Sequence, residues 1–305
     1  MKNTARFLCS LSLYLLAISC FGPSAQSFAA DSNWLYPSYN SIDQYYGPKG
    51  YEMRQMSPQE LRGYLNKLLN MPHLRSPSKS DELVENCHKK TDGNCFPVRS
   101  LSYTEVRQYL FGHVYLEKDK DGRFYVAPIY CNQKIKEGVG PYTIPSIALS
   151  GLNTEHVFPK AHFKRSRNGN RYGEMKTDIH HLAPALMKVN SFRGSFHFGY
   201  PNSNLSSVDG CSESVRGKGA ARGGSQTVFL PRPEVRGDIA RMIFYFAVRF
   251  DVAIQNVEEG MLRSWHEADP VTDKEKRTNN LKYAVQGNRN PFVDYPDLVK
   301  SVSDF

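Results

Sequence analysis

Beyond residue 29, this 305-residue chain has no run apolar enough to span a membrane, and it has no internal repeat. The first absence excludes an integral helical membrane protein, and the second a solenoid. The chain contains no H-E-x-x-H. His156, His162, His180 and His181 do not recur at an i, i+4 spacing, which argues against a helical zinc-hydrolase site. Gly217-Lys218-Gly219 lacks both a buried strand before it and a helix-opening Lys-Ser/Thr, so it is not a nucleotide-binding loop. Asp119-Lys120-Asp121-Gly122 lacks a third acidic position and a distal glutamate, and is predicted to be a turn rather than a calcium loop. Cysteine is scarce: there are six, and their spacing is unlike the C-x₂₋₄-C of a zinc site.

What is present begins with an export leader. Lys2 and Arg6 form a positive start, and Phe7 to Phe21 is mostly apolar and uncharged. Ser27-Phe28-Ala29 supplies small residues for cleavage after Ala29, giving a signal peptide over 1–29 and a periplasmic or secreted product. The alternative is Ala17-Ile18-Ser19-Cys20 as a lipoprotein box, with a lipid anchor at Cys20. Removal of 1–29 turns 39 basic and 30 acidic residues into 37 and 30, a charge of +7. That excess suits polyanionic partners, through counterion release from phosphates, and also simple solubility. Cys9 and Cys20 leave with the leader. The remaining Cys87, Cys95, Cys131 and Cys211 are an even set in an exported chain, which predicts two disulfides. Cys87–Cys95 with Cys131–Cys211 is the preferred pairing, and the other two pairings stay open.

The expected class is α+β, with an N-terminal extension, partly helical, over 30–100 and one domain over 101–305. Residues 31–56 show no period and are expected to be a loose lead-in. Ser57-Pro58-Gln59-Glu60 and Ser102-Tyr103-Thr104-Glu105 each open a helix with a capping box. Leu116 to Val126 is expected to be a hairpin turning at Asp121-Gly122. Residues 202–226 have a loop composition and carry Arg216, Lys218 and Arg222, a basic loop able to touch phosphates. An amphipathic helix is expected over Glu234 to Phe250, and another from Thr272 to Gly287.

The chemistry concentrates in Leu152-Asn153-Thr154-Glu155-His156, Asp178-Ile179-His180-His181-Leu182 and Val189-Asn190-Ser191-Phe192-Arg193-Gly194. Glu155 can bind a cation at a strand end while His156, with an ordinary pKa near 6.5, accepts a proton from water. The cation should be hard. Mg²⁺ keeps several waters and takes one or two protein oxygens, here Glu155 and the amide oxygen of Asn190. Mn²⁺ or Ca²⁺ are substitutes. Thr177 to Leu182 is predicted to be a strand and Pro184 to Asn190 the start of a helix.

These phrases and their order resemble the ββα-metal, or His-Me finger, nucleases, specifically the bacterial endonuclease I family. Gly287-Asn288-Arg289-Asn290-Pro291-Phe292 and Arg236-Gly237-Asp238-Ile239-Ala240-Arg241 resemble it too, so the likeness runs from about Tyr103 to Asp294. The resemblance implies a mixed helical body around a ββα-metal motif, with His156 as general base and Glu155 and Asn190 as metal ligands. Asp178 and His181 would orient the site, or merely hydrogen-bond within a strand. Arg193 would meet the scissile phosphate or brace the helix, with bracing favoured. Arg165, Arg167 or Arg171 would face the leaving side. The implied activity is cleavage of DNA, often also RNA, through backbone phosphates, with 5′-phosphate products and little sequence preference. A monomer is expected. Residues 30 to about 100 carry no motif of that family.

Overall fold

The structure is a computed structural model that describes residues 35–36, 41–47, 52–75, 79–87, 94–163, 171–221 and 224–305. The leader, the alternative anchor at Cys20, and Arg165, Arg167 and Arg222 lie outside the described residues.

Where the N-terminal region is described, it contributes to the core. Helix α1 (Ile42–Tyr46) buries Tyr45 and Tyr46, and a 3₁₀ turn over Met53–Gln55 buries Met53. The loose lead-in expected over 31–56 is corrected there, because aromatic spacing rather than periodicity holds these residues. Helix α2 (Pro58–Asn70) starts at the expected capping box. Ser57 accepts from the Glu60 amide while Glu60 accepts from the Ser57 amide. Its Leu61, Leu65, Leu68 and Leu69 pack into the same core as Phe244 and Phe246. Three short strands follow, β1 (His73–Leu74), β2 (Glu82–Leu83) and β3 (Cys95–Phe96), in the order β2-β1-β3. Cys87–Cys95 closes beside β3.

Helix α3 (Tyr103–Tyr109) also opens at its expected box. Strands β4 (Leu116–Lys118) and β5 (Phe124–Val126) form the expected hairpin, with Gly122 at φ 77°. Asp119 is taken by Lys136 at 2.6 Å and by Arg123, as befits a turn anchor.

The middle of the chain builds a strand–strand–helix unit. A short helix, α4 (Ile147–Ser150), leads into β6 (Leu152–His156). Helix α5 (Tyr172–Thr177) and a 3₁₀ turn (Ile179–His181) then precede β7 (Leu182–Leu186) and α6 (Met187–Arg193). The strands run antiparallel, from Leu152 opposite Leu186 to His156 opposite Leu182. This corrects the expected boundaries, since Thr177 to Leu182 is largely helical turn and the strand begins where it was expected to end. Pro184 lies within β7 because the pair has only two strands and needs no amide there; its carbonyl accepts from Ile129 instead.

The described residues of 202–226 are corrected from a loop to strands and a turn. Strands β8 (His197–Phe198), β9 (Pro201–Val208), β10 (Cys211–Ala221) and β11 (Gly224–Leu230) form a sheet of order β8-β11-β10-β9. Loop-like composition is tolerated because β9 lies against glycines. A Cβ at Gly217 would sit 2.5 Å from the Ser203 carbonyl oxygen, and one at Gly219 2.4 Å from that of Tyr200.

Helix α7 (Arg236–Phe250) is the centre of the molecule. Its Ile239, Ile243, Phe244, Phe246 and Ala247 lie in the core as expected, and the burial extends almost all round, from Gly237 to Phe250. Its two internal arginines are paired, Arg241 with Glu275 at 2.7 Å and Arg249 with Asp178. Helix α8 (Asn256–Ala268) was not foreseen, since Gln255 caps it without a side-chain bond. Helix α9 (Asp273–Gln286) begins at Thr272 and stops at left-handed Gly287, as expected. Two short helices, α10 (Pro291–Asp294) and α11 (Leu298–Ser301), end the chain. The class is α+β with two disulfides, and the second, Cys131–Cys211, ties the loop after β5 to β10.

Candidate active site

Glu155 and His156 end strand β6, and their side chains meet different elements. Glu155 is 2% exposed. Its Oε1 accepts from the Tyr130 hydroxyl at 2.6 Å and lies 3.5 Å from Arg193 Nε. Burial raises the pKa of Glu155, while Arg193 and the Tyr130 hydrogen bond oppose the rise. Tyr130, pushed far up by burial and by Glu155 itself, stays protonated and so donates. Its position is fixed on three sides. Its ring meets Phe229 at 4.9 Å, its carbonyl accepts from Ser214 at 2.8 Å, and the next residue is disulfide-bonded to β10.

His156 faces α5. Its Nε2 lies 3.0 Å from the Lys176 carbonyl. A carbonyl can only accept, so Nε2 carries the proton and the neutral ring presents Nδ1 as a lone pair. Burial, with His181 next, pushes its pKa down to about 3, so the imidazole is neutral at pH 7. His181 repeats the pattern one residue earlier on α5, its Nε2 lying 2.6 Å from the Met175 carbonyl. The two rings are 5.6 Å apart. The last carbonyls of α5, which have no partner within the helix, therefore orient both imidazoles.

Asn190 projects from α6 back to β6, its Nδ2 donating to the Thr154 carbonyl at 3.2 Å. That bond fixes the amide one residue from Glu155. Its Oδ1 is the other polar atom, a hard oxygen donor. Among the described residues no group of three or more His, Cys, Asp and Glu side chains is placed to hold a metal. Among the described residues a zinc-type cage is therefore not built; the Glu155 carboxylate and Asn190 Oδ1 are oxygen donors of the kind that could serve a water-retaining cation.

The sequence profile of the family described as Endonuclease I matches residues 113–297. The chain belongs to the endonuclease I family. It is 31% identical over 245 residues to an extracellular ribonuclease of Bacillus subtilis (strain 168), covering 73% of this chain and 74% of the relative. It is 37% identical over 173 residues to an extracellular ribonuclease of Bacillus amyloliquefaciens, covering 51% and 55%. An extracellular deoxyribonuclease of Aeromonas hydrophila is 26% identical over 157 residues, covering 48% and 66%. These three relatives are named as extracellular nucleases, two for RNA and one for DNA.

The other expected residues take separate places in this endonuclease I fold. Arg193 is 1% exposed. It donates to the Val157 carbonyl at 2.8 Å and lies over Phe198 at 4.7 Å, beside Glu155 rather than at the surface. Asp178 does not touch Glu155, His156 or Asn190. It sits behind the 3₁₀ turn, capping the His180 amide at 2.8 Å and accepting from Arg249, from Tyr245 at 3.0 Å and from Gln286 at 3.0 Å. Burial alone would raise Asp178, but Arg249 first, then the nearby histidines and Gln286, bring it down to about 2. Arg171 is engaged with Asn70 at 2.7 Å and Glu174 at 2.6 Å, so it braces α5. The family-like phrase at 287–292 is structural. Asn290 donates to the Arg241 carbonyl at 3.0 Å, and a Cβ at Gly287 would sit 2.4 Å from Tyr36. Sequence reasoning missed Tyr130 and the α5 carbonyls, because a tyrosine 25 residues from its carboxylate and a backbone oxygen leave no spacing signal.

Proposed function

We propose that this chain is an exported, divalent-metal-dependent endonuclease that hydrolyses phosphodiester bonds of DNA and RNA with little sequence preference. The single observation that carries the reading is the hydrogen bond from His156 Nε2 to the Lys176 carbonyl, which leaves Nδ1 as a lone pair on a neutral ring one residue after Glu155. In this reading Nδ1 takes a proton from the attacking water, a role worth about 10²–10⁴ in rate. On the same reading the β6–β7–α6 unit is the ββα-metal motif, and Glu155 and Asn190 Oδ1 would hold the cation. Mg²⁺ fits this donor set of one carboxylate and one amide oxygen, and Mn²⁺ or Ca²⁺ would substitute. When bound, the ion supplies positive charge to the phosphate and the departing 3′-oxygen, giving 5′-phosphate products.

The remaining residues act by position. Tyr130 and Arg193 both engage Oε1 of Glu155, holding the carboxylate in one orientation. His181 packs against the His156 ring, and Asp178 anchors the turn that carries His181. Arg165 or Arg167 would answer the leaving side of the phosphate, since Arg171 is committed to α5. Phosphate-directed binding explains indifference to base sequence. Export rests on the leader over 1–29 and on the extracellular names of the relatives. No helix among the described residues is long and apolar enough to cross a membrane. The chain would act as a monomer.

The test is mature protein incubated with plasmid DNA and with RNA, with Mg²⁺ or with EDTA, beside Glu155→Gln and Asn190→Ala. Cleavage with Mg²⁺ alone, weakened in both variants, is the expected result. Full-rate cleavage in EDTA would overturn the metal reading.

A further inference from the structure

An aromatic row leads out of the core beside His156. Buried Phe246 stacks on half-buried Phe163 with ring centroids 5.4 Å apart. Phe163 meets Tyr172 edge-on at 5.6 Å and His156 edge-on at 6.2 Å, so the row passes the imidazole on its way to the surface. Tyr103, partly exposed, lies nearly parallel to His156 at 6.4 Å. The outermost ring, Tyr172, is 48% exposed.

A lone exposed tyrosine needs no explanation. Tyr172 is not alone. It continues a supported row, and two lysines lie near other members of the site. Lys160 is exposed on the 3₁₀ turn just before Phe163. Lys176 Nζ lies 4.8 Å from the Tyr103 ring centroid. An exposed π-face with ammonium groups in the same region matches one chemistry closely, an unpaired nucleotide strand. Its bases stack on aromatic rings while its phosphates meet lysines. A duplex keeps its bases stacked inside and offers Tyr172 no base face. Tyr172 is held in place by Phe163, so the platform needs no reordering to accept a base.

Resting on the reading of His156 as the general base, we propose that Tyr172, backed by Phe163, stacks unpaired bases next to the scissile phosphate. The platform gives this nuclease a preference for single-stranded over double-stranded nucleic acid.

The experiment measures kcat/KM on one oligonucleotide sequence presented unpaired and as a duplex, for the wild type, Tyr172→Ala, Tyr172→Leu and Tyr172→Phe. The wild type should favour the unpaired strand. Tyr172→Ala and Tyr172→Leu should lower the unpaired-to-duplex ratio about tenfold, within the range of one base–aromatic stack. Tyr172→Phe should restore it, which neither lost bulk nor general destabilisation would produce. Equal losses on both substrates, or no loss in any variant, would overturn the proposal. If the wild type cleaves neither substrate, the catalytic reading fails separately. Fluorescence anisotropy with the unpaired oligonucleotide then decides the platform, through about tenfold weaker binding in Tyr172→Ala or an unchanged affinity that refutes it.

Discussion

Asp178→Asn isolates one buried charge without changing its shape. The wild-type carboxylate is fully buried and accepts from Arg249, Tyr245, Gln286 and the His180 amide. The amide keeps one acceptor oxygen but turns an –NH₂ toward groups that also donate. It leaves the Arg249 guanidinium, 5% exposed, without the carboxylate it is paired with. Removing one partner of such a pair typically costs about 3–5 kcal/mol, because the remaining charge stays buried. For a chain of this size each kcal/mol moves the melting temperature by roughly 2–4 °C, so a fall of about 6–20 °C is expected. Urea unfolding should show a lower midpoint with an unchanged slope. The double variant Asp178→Asn/Arg249→Met removes the stranded charge and should recover part of the loss, since a buried pair is often replaced at little cost. A loss under about 1 kcal/mol in Asp178→Asn, or a double variant as unstable as the summed single changes, would refute the reasoning.

Further outcomes follow from other parts of the structure. Tyr130→Phe removes the hydroxyl that donates to Glu155 at 2.6 Å. The Mg²⁺ concentration for half-maximal cleavage should rise about tenfold, and an unchanged value would release Tyr130 from this role. The two disulfides should differ in worth. Loop-closure entropy gives about 4.5 kcal/mol for Cys131–Cys211, with 80 residues of separation, and about 2.5 for Cys87–Cys95, with 8. Paired serine variants followed by thermal melting check the order, and a larger loss from 87/95 would reverse it. Burial holds His180 down to about 3 and His181 to about 4, both below the unfolded value near 6.5. The unfolded chain therefore takes up protons first, and stability is lost as pH falls through 6 toward 4. The two rings together give a slope of about 2–3 kcal/mol per pH unit. Urea unfolding at pH 6, 5.5 and 5 measures it, and stability that rises on acidification would contradict the sign.

Much of the fold was legible because local chemistry announced it. Ser57, Ser102 and Thr272 each had a glutamate three residues on, and each caps a helix. Gly287 was expected as a stop and adopts a left-handed conformation. The sheet over 201–230 was illegible because serine, asparagine and glycine carry no strand preference. There, close backbone approach at Gly217 and Gly219 outweighs composition. The boundary of β7 was misjudged because Asp178 caps a 3₁₀ turn over Ile179–His181, a local bond that sets the stretch as a turn rather than a strand. At the site, the positions of Glu155, His156 and Asn190 were visible as residue types in order. What orients them was not, since a backbone carbonyl at Lys176 and a hydroxyl at Tyr130 are supplied by tertiary packing.

The most direct measurement is the single-turnover cleavage rate of His156→Ala at saturating Mg²⁺, on protein shown by circular dichroism to be folded. Loss of the Nδ1 lone pair should slow cleavage by about 10²–10⁴ while nucleic-acid binding survives. Cleavage at the wild-type rate would contradict the role assigned to His156 and the site built around it.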